Sequence, residues 1–409
     1  MKSFISVTEA LETARGMAPL TDTKFVPLAQ LVGRVLASDL YSKVHSPSVD
    51  ASLKDGYAVR SADLADAAVE NPVVLQLAGK ISAGRKSALS LTPGRTFRIT
   101  TGSPIPEGAD AVLSEEYTSL DGSRVICRNT AESGRNILAQ GADIRKGDRV
   151  ACKGEKITPA LTGLIATAGL DGALVHRQPR VCVIATGDEV VAPGLPLPDG
   201  KLYASNVTEI CAWLKHFGIY FEVAFASDRR EEISALIRKH LASADAFITS
   251  GGIWGSEKDL MLHVLEGLNW QGCYHRVRMG PGKAVAFGLL ENRPFFCLPG
   301  GPPSNEMAFL QIALPSLLRM TGALLPPFPL VMATLTADVY GDDTWTQFVH
   351  ALLEKDQSRW RVTPLRQKSR LQSMARKNAL IMLPEGCGHL ACGASIAVQV
   401  LDPQALCGS

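Results

Sequence analysis

Hydrophobic positions along this chain change period several times, and each change predicts a different kind of element. Ser6 and Glu9 form a capping box, and Val7, Ala10, Leu11, Ala14 and Met17 then recur at helical spacing, so an amphipathic helix is predicted at the start. A second helix is predicted from Leu28 to about Ala37. From Ser46 to about Gln140 the pattern becomes short β-type runs, such as Val73 to Leu77, Phe97 to Thr100 and Arg124 to Cys127, separated by Gly, Pro and Asp. This stretch reads as a small β-rich insert. A helix returns after Thr158, its expected cap, with Pro159 at the first helical position and Gly169 at the stop, and it is expected to pack with the N-terminal helices.

Strands and helices then alternate: strand Arg180 to Ala185, helix Ser205 to Phe217, strand Tyr220 to Phe225, helix Glu231 to Leu241, strand Ala246 to Thr249, helix Lys258 to Gly267. Such βαβ order implies a parallel sheet covered on both faces. A long helix from Ser304 to Met320 closes this part, and Pro326, Pro327 and Pro329 follow as a stiff linker. Beyond it, Val331 to Leu335, Gln347 to Leu353, Trp360 to Thr363, Leu380 to Leu383 and Ile396 to Leu401 suit a small barrel or sandwich. The expected division is a discontinuous helical linker domain (1–45 and 141–178), the β-rich insert (46–140), an α/β domain (179–325) and a C-terminal β domain (326–409).

Composition narrows the classes. With 409 residues, 46% hydrophobic and 20% charged, the chain has room for two to four folded units and no disordered or fibrous character. Its 42 Lys and Arg against 40 Asp and Glu leave +2, so no whole-protein field exists to gather nucleic acid or an acidic membrane, and any anion site must be local. Nine cysteines with no C-x-x-C pair predict free thiols in a reducing compartment. There is no secretory signal pattern, and no apolar run approaches the ~18 residues of a membrane helix, so a cytoplasmic location with no membrane partner is expected.

Ligands of an open α/β sheet gather at the carboxyl ends of its strands, so the loops there are where chemistry is sought. Thr186-Gly187-Asp188-Glu189 follows the first strand: Gly187 can bring backbone N–H groups to an anion, and the two carboxylates can hold a hard cation. Asp228 follows the next strand. Ser250-Gly251-Gly252 follows the third, with Asp259 at the following helix. Taken singly, each loop reads better as a glycine turn with a helix-capping Asp. Two more segments join them: Gly280-Pro281-Gly282-Lys283, where Lys283 offers a point charge to an oxyanion, and Pro299-Gly300-Gly301-Pro302-Pro303-Ser304 at a helix start. In the insert, Asp55 is a general base, a cation ligand or the Asp of an Asp-Gly turn. Lys355 to Lys377 holds eight basic residues against one acid, Asp356, which is either a solvated loop or a basic rim over an anion pocket.

These residues stand in an order that resembles the MoeA family of molybdopterin molybdenumtransferases. The resemblance is carried by Asp55-Gly56-Tyr57-Ala58-Val59, Thr100-Thr101-Gly102 with Pro104 to Gly108, Gly141-Ala142-Asp143-Ile144, Thr186-Gly187-Asp188-Glu189, Ser250-Gly251-Gly252 with Asp259, Pro281-Gly282-Lys283, and Leu298-Pro299-Gly300. It implies a MogA-like doubly wound α/β molybdopterin-binding domain, the β-rich insert, the helical linker domain and a C-terminal β-barrel-like domain, assembled as a homodimer. It also implies the chemistry: molybdate and adenylated molybdopterin as substrates, Mg2+-dependent phosphoanhydride cleavage and release of AMP. The adenylated molybdopterin would come from a molybdopterin adenylyltransferase, and the product would pass to a molybdoenzyme or a cofactor chaperone.

Carried over by motif, Glu189 and Asp228 are the metal ligands. Asp55, Thr101, Asp143 and Lys283 are the catalytic residues. Thr186, Gly187, Asp188, Ser250, Gly251, Gly252, Asp259, Pro299, Gly300, Ser304, Ser369, Arg370 and Ser373 bind substrate. The chain also departs from the family: Ile253-Trp254-Gly255-Ser256 replaces V-S-V-G, Gly280 stands where K-P-G-K has its first lysine, and Trp345 stands where G-R-x-x-F has its arginine. Two pocket cations are therefore missing, and Lys368 or Arg370 is expected to compensate. The alternative expectation is a molybdopterin or molybdenum cofactor carrier with an altered oxyanion site, or a tungstate-specific transferase.

Overall fold

Alternation along the strand Arg180–Thr186 sorts its side chains to two hydrophobic cores. Val181, Val183 and Ala185 face one cluster with the helix residues Val207, Ile210 and Leu214, whereas Cys182 and Ile184 face another with Ile233, Ile237 and Met261. A strand buried on both faces needs covering layers on both sides, and the crossover helices Ser205–His216 and Arg230–Leu241 supply them. The computed structural model describes residues 1–84, 89–252, 260–356, 359–365 and 369–402. The chain forms two compact units, residues 1–24 with 175–409 and residues 25–174.

The first unit is built on a seven-stranded sheet ordered Lys2–Ile5, Gln271–Val277, Ala286–Leu290, Arg293–Leu298, Ala246–Ser250, Arg180–Thr186, Tyr220–Ala226. Ala286–Leu290 runs antiparallel to both its neighbours, and every other pairing is parallel. Arg180–Thr186 lies between the two strands that follow it in sequence, so the chain crosses to opposite sides there and opens a crevice at the carboxyl edge. The expected elements are in place, with the last helix observed as a continuous helical run, Pro302–Ala308, Phe309–Ala313 and Leu314–Met320, whose middle turn is π-helical. The helix expected from Lys258 is described from Leu260 to Glu266, and its start lies outside the described residues.

Two features were not foreseen. Residues 1–24, grouped in the sequence analysis with 25–45, belong to this unit: Lys2–Ile5 pairs with Gln271–Val277, and the helix Val7–Met17 packs Ala10 and Ala14 into its core. The strands between residues 271 and 298 were also unread. In the same unit, Leu330–Leu335, Thr346–Asp356, Arg359–Pro364, Ala379–Leu383 and Ser395–Val400 close into a five-stranded barrel, because Thr346–Asp356 pairs with both Arg359–Pro364 and Ala379–Leu383. Closure removes the free edges.

The second unit carries a six-stranded sheet ordered Ala111–Ser114, Gly56–Val59, Arg95–Ile99, Val73–Ile81, Arg124–Cys127, Thr118–Asp121, with the helix Pro159–Thr167 capped by Thr158, whose Oγ1 accepts from Leu161 N at 3.1 Å. The helix predicted from Leu28 to Ala37 is replaced by one short turn, Leu28–Gln30. Gly33 adopts φ 81°, and the backbone pairs across the chain instead, Gly33 N to Ile157 O at 2.8 Å and Leu36 N to Glu155 O at 3.0 Å. Leu31, whose N–H closes the short turn on Leu28 O at 3.1 Å, and Leu36 are both buried. Among the described residues no helix is long and apolar enough to cross a membrane, and the eight cysteines are all free.

Candidate functional site

Two cavities lie against the loops at the carboxyl edge of the seven-stranded sheet, and they differ in charge. The first, about 390 Å³, is lined by Thr186, Gly187, Glu189, Asp228 and Gly252, with Arg230 and His263. Gly187 is required here: its φ is 131°, and a Cβ would sit 2.7 Å from Glu189 Oε2. Asp188 turns aside to accept a hydrogen bond from Asp228 N at 3.1 Å. Partial desolvation, reinforced by the charges of Glu189 and Asp188, raises the Asp228 carboxyl above its usual range. Crowded carboxylates of this kind fit a divalent cation, and magnesium in particular is held by one or two carboxylates together with water and substrate phosphate. Among the described residues no three His, Cys, Asp or Glu side chains converge as a closed metal centre.

The second cavity, about 660 Å³, is cationic. Lys283, Arg276 and Arg370 line it with Ser304, Pro299, Trp345 and the acid Asp342. Thus four of the sequence-expected residues, Lys283, Pro299, Ser304 and Arg370, meet at one cleft. Ser369 and Ser373 are not among its walls: Ser369 Oγ caps the helix Arg370–Arg376 by accepting from Gln372 N at 3.3 Å, and Ser373 is buried. The Ser369 hydroxyl is thus engaged with its own helix start. Asp259 and Lys368 lie outside the described residues, as does Trp254.

The two cavities share a wall of hydrogen-bonded loops. Gly251 N donates to Leu298 O at 3.1 Å, and Thr186 Oγ1 donates to Ser250 O at 3.3 Å. Two asparagines that the sequence analysis passed over tie this wall: Asn206 Nδ2 donates to Gly300 O at 2.8 Å and Ser250 Oγ at 3.3 Å, and the buried Asn305 Nδ2 donates to Pro299 O at 2.8 Å and Ser250 Oγ at 3.1 Å. Ser250 is buried in this wall, its Oγ accepting from both amides. The signal for Asn305 was available, since an amide next to Ser304 at a helix start has backbone carbonyls within reach. Arg276 was also missed, because its strand was unread.

Behind the cationic cleft lies a buried polar cluster that joins barrel and sheet domains. Glu306 pairs with Lys377 Nζ, and His350 Nε2 lies 3.2 Å from its Oε2. Burial and the neighbouring Glu306 push Glu209 up to about 8. Burial alone would raise Glu306 as well, but His350, Glu209 and Lys377 hold it below the usual range, so the pair keeps one proton. Of the eight basic residues between 355 and 377, Lys377 is thus consumed internally, Arg361 pairs with Asp356 at 3.1 Å, and Arg370 reaches the cleft. Cys297 is fully buried with its thiol pushed up to about 12, which suits a small hydrophobe and no ligand role.

In the second unit Asp55 and Thr101 come together: Thr101 donates from N at 2.6 Å and from Oγ1 at 3.0 Å to Asp55 Oδ1. These hydrogen bonds, with the charge of Arg98, lower the Asp55 pKa. A lowered pKa makes a poor general base and a persistent anion. Asp143 stands in an exposed turn held by donation from its N–H to Ser46 O at 3.0 Å.

Comparison with known proteins places these features in a family. Family models match the MoeA N-terminal region (domain I and II) over residues 5–169, a probable molybdopterin binding domain over 182–319, and the MoeA C-terminal region (domain IV) over 332–401. The chain is 33% identical over 394 residues to molybdopterin molybdenumtransferase 2 of Mycobacterium tuberculosis, covering 95% of this chain and 96% of the relative. The chain belongs to the MoeA family. A further MoeA relative, the molybdopterin molybdenumtransferase of Bacillus subtilis, is 31% identical over 404 residues, 97% of this chain and 94% of that one. The crystal structure of a molybdopterin biosynthesis MoeA protein from Pyrococcus horikosii matches with TM-score 0.85 and 29% identity over 98% of this chain and 99% of that one.

Proposed function

We propose that this MoeA-family chain is a molybdopterin molybdenumtransferase that takes adenylated molybdopterin and molybdate and releases molybdenum cofactor and AMP. The observation that carries the reading is the cationic cleft, in which Lys283, Arg276 and Arg370 surround a volume suited to an oxyanion, beside the backbone of Pro299 and Gly301. In this reading Lys283 and Arg370 neutralise the oxyanion, and Ser304 donates a hydrogen bond to it. Arg276 supplies a charge that the losses at Gly280 and Trp345 would otherwise leave absent. Each charge-assisted hydrogen bond of this kind contributes about 1.5–3 kcal/mol.

Glu189 and Asp228 are the residues that would hold Mg2+, which would supply charge neutralisation at the phosphate oxygens of the anhydride. Asp55, kept ionised by Thr101, and Asp143 are the further catalytic residues of the proposal, and the working form is a cytoplasmic homodimer. The test is AMP release from adenylated molybdopterin by the purified protein with magnesium, comparing no oxyanion, molybdate and tungstate. Molybdate-stimulated release that disappears in Asp55→Ala and Glu189→Ala is expected. Binding of the adenylated pterin without any release would sink the transferase and leave a carrier.

A further inference from the structure

Trp345 stands in place of a cation, yet it is not a bystander to the charge that remains. Lys283 Nζ lies 5.2 Å from the centroid of the Trp345 ring and 5.3 Å from that of Phe4, and the two rings meet edge to face, 6.2 Å apart at 84°. Both distances fall inside the range in which an ammonium is attracted by an aromatic face. The guanidinium of Arg276 sits 5.5 Å from the same Phe4 ring. Two of the three cations of the cleft therefore rest on one aromatic pair.

The backbone around these rings is held in unusual ways. Phe4 and Arg276 have φ of 54° and 68°, a left-handed conformation that side-chain-bearing residues rarely adopt. They occupy neighbouring parallel strands at the level where pairing passes from Ser3 with His275 to Ile5 with Val277. Strain that persists in this way is held by its surroundings and concentrates at functional places. The surroundings are visible: Arg278 Nη1 donates to Phe4 O, Arg278 N donates to Ile5 O at 2.8 Å, and the Arg278 guanidinium grips Glu385 of the barrel at 3.0 and 3.1 Å. On the other side, Trp345 ends a tight turn in which Thr344 donates twice to Asp342 Oδ1, at 2.9 and 2.6 Å, and Thr346 N donates to Arg278 O at 3.1 Å.

We propose that Phe4 and Trp345 are positioning residues that clamp the Lys283 ammonium in the cationic cleft, so that this lysine is pre-placed for the metal oxyanion beside Arg276 and Arg370. The clamp rests on the oxyanion role given to the cleft above. A lysine stem is flexible, and an ammonium held over two rings loses less freedom on meeting its anion. The N-terminal strand thereby becomes part of the site through Phe4.

The experiment uses the full-length protein and two readouts. Lysines are reductively methylated with 13C, and the Lys283 signal is assigned by its loss in Lys283→Arg; ring currents are expected to move it upfield in the wild type and to leave it in Trp345→Leu and Phe4→Leu. Molybdate affinity is then measured by calorimetry on unmethylated protein. Trp345→Leu and Phe4→Leu are expected to bind molybdate roughly threefold to thirtyfold more weakly, with Trp345→Phe within about twofold of wild type. The KM for molybdate should rise while kcat and the KM for adenylated molybdopterin hold. In a Lys283→Gln background Trp345→Leu should have no further effect, and Phe4→Leu should keep only the part that acts through Arg276. An unshifted Lys283 signal, or an affinity loss that persists undiminished without Lys283, overturns the clamp. A shifted signal in a wild type that neither binds molybdate nor releases AMP with it overturns the proposed function, and with it the role given to the clamp.

Discussion

The two cavities at the sheet edge are built from neighbouring loops and hold opposite charge. One gathers Glu189 and Asp228 after the first two α/β strands; the other gathers Lys283, Arg276 and Arg370 from the far end of the sheet and from the barrel. The acidic cavity is local, since its residues follow consecutive strands. The cationic cleft is assembled from four distant segments, residues 276–284, 299–304, 342–347 and 370, and Phe4 lies against its Lys283. The difference allows a cation missing at one position to be replaced from another segment, whereas each acid is tied to the end of its own strand. A charge on a shared wall can arrive from any segment that reaches it, whereas Glu189 lies close over Gly187 in the loop that follows its own strand.

The comparison breaks first if the cavities do not separate functionally. Lys283→Gln is expected to lower molybdate affinity roughly tenfold to a hundredfold, as expected for one charge-assisted bond, while Mn2+ binding followed by electron paramagnetic resonance is unchanged. Glu189→Gln and Asp228→Asn should do the reverse, weakening the divalent cation by about tenfold and sparing molybdate. A variant that abolishes both would show that the two cavities are one.

A smaller effect concerns the wall between them. Asn305→Ala removes two hydrogen bonds from a buried amide and leaves Pro299 O without that donor, so stability should fall by about 1–3 kcal/mol, read as a thermal midpoint a few degrees lower. An unchanged midpoint would mean the loops hold themselves.

Dependence on pH sharpens the contrast further. Because Asp228 titrates above its usual range, protons compete with the cation there, and divalent affinity should rise with pH through that raised value and flatten in Asp228→Asn. For Glu209 the folded protein favours the protonated form. Its contribution to stability is complete below the ordinary glutamate pKa of about 4.3 and is lost as pH rises through about 8. Urea midpoints should therefore decline across that window, and Glu209→Gln should remove that part of the decline. A midpoint in Glu209→Gln that tracks the wild type at every pH would place the proton elsewhere in the cluster.

Much of the architecture was legible because period and punctuation are local properties. Arg180–Thr186, Tyr220–Ala226 and the barrel strands fall within a few residues of their expected bounds, since β-branched runs between Gly and Pro have few alternatives. The helix expected at Leu28–Ala37 failed for the converse reason: its apolar spacing is real, but Gly33 turns the chain and residues 155–157 supply the hydrogen bonds.

Sequence alone determined the chemistry available to the site. Glu189, Asp228, Lys283 and Ser304 stand at strand ends or a helix start, where backbone direction puts side chains at the sheet edge whatever lies opposite. Only the tertiary structure decided which of them share a cavity, that Ser369 caps a helix, and that Phe4, Arg276 and Asn305 lie against the site. Those outcomes depend on contacts between segments far apart in the chain, and no local pattern of residues carries that information.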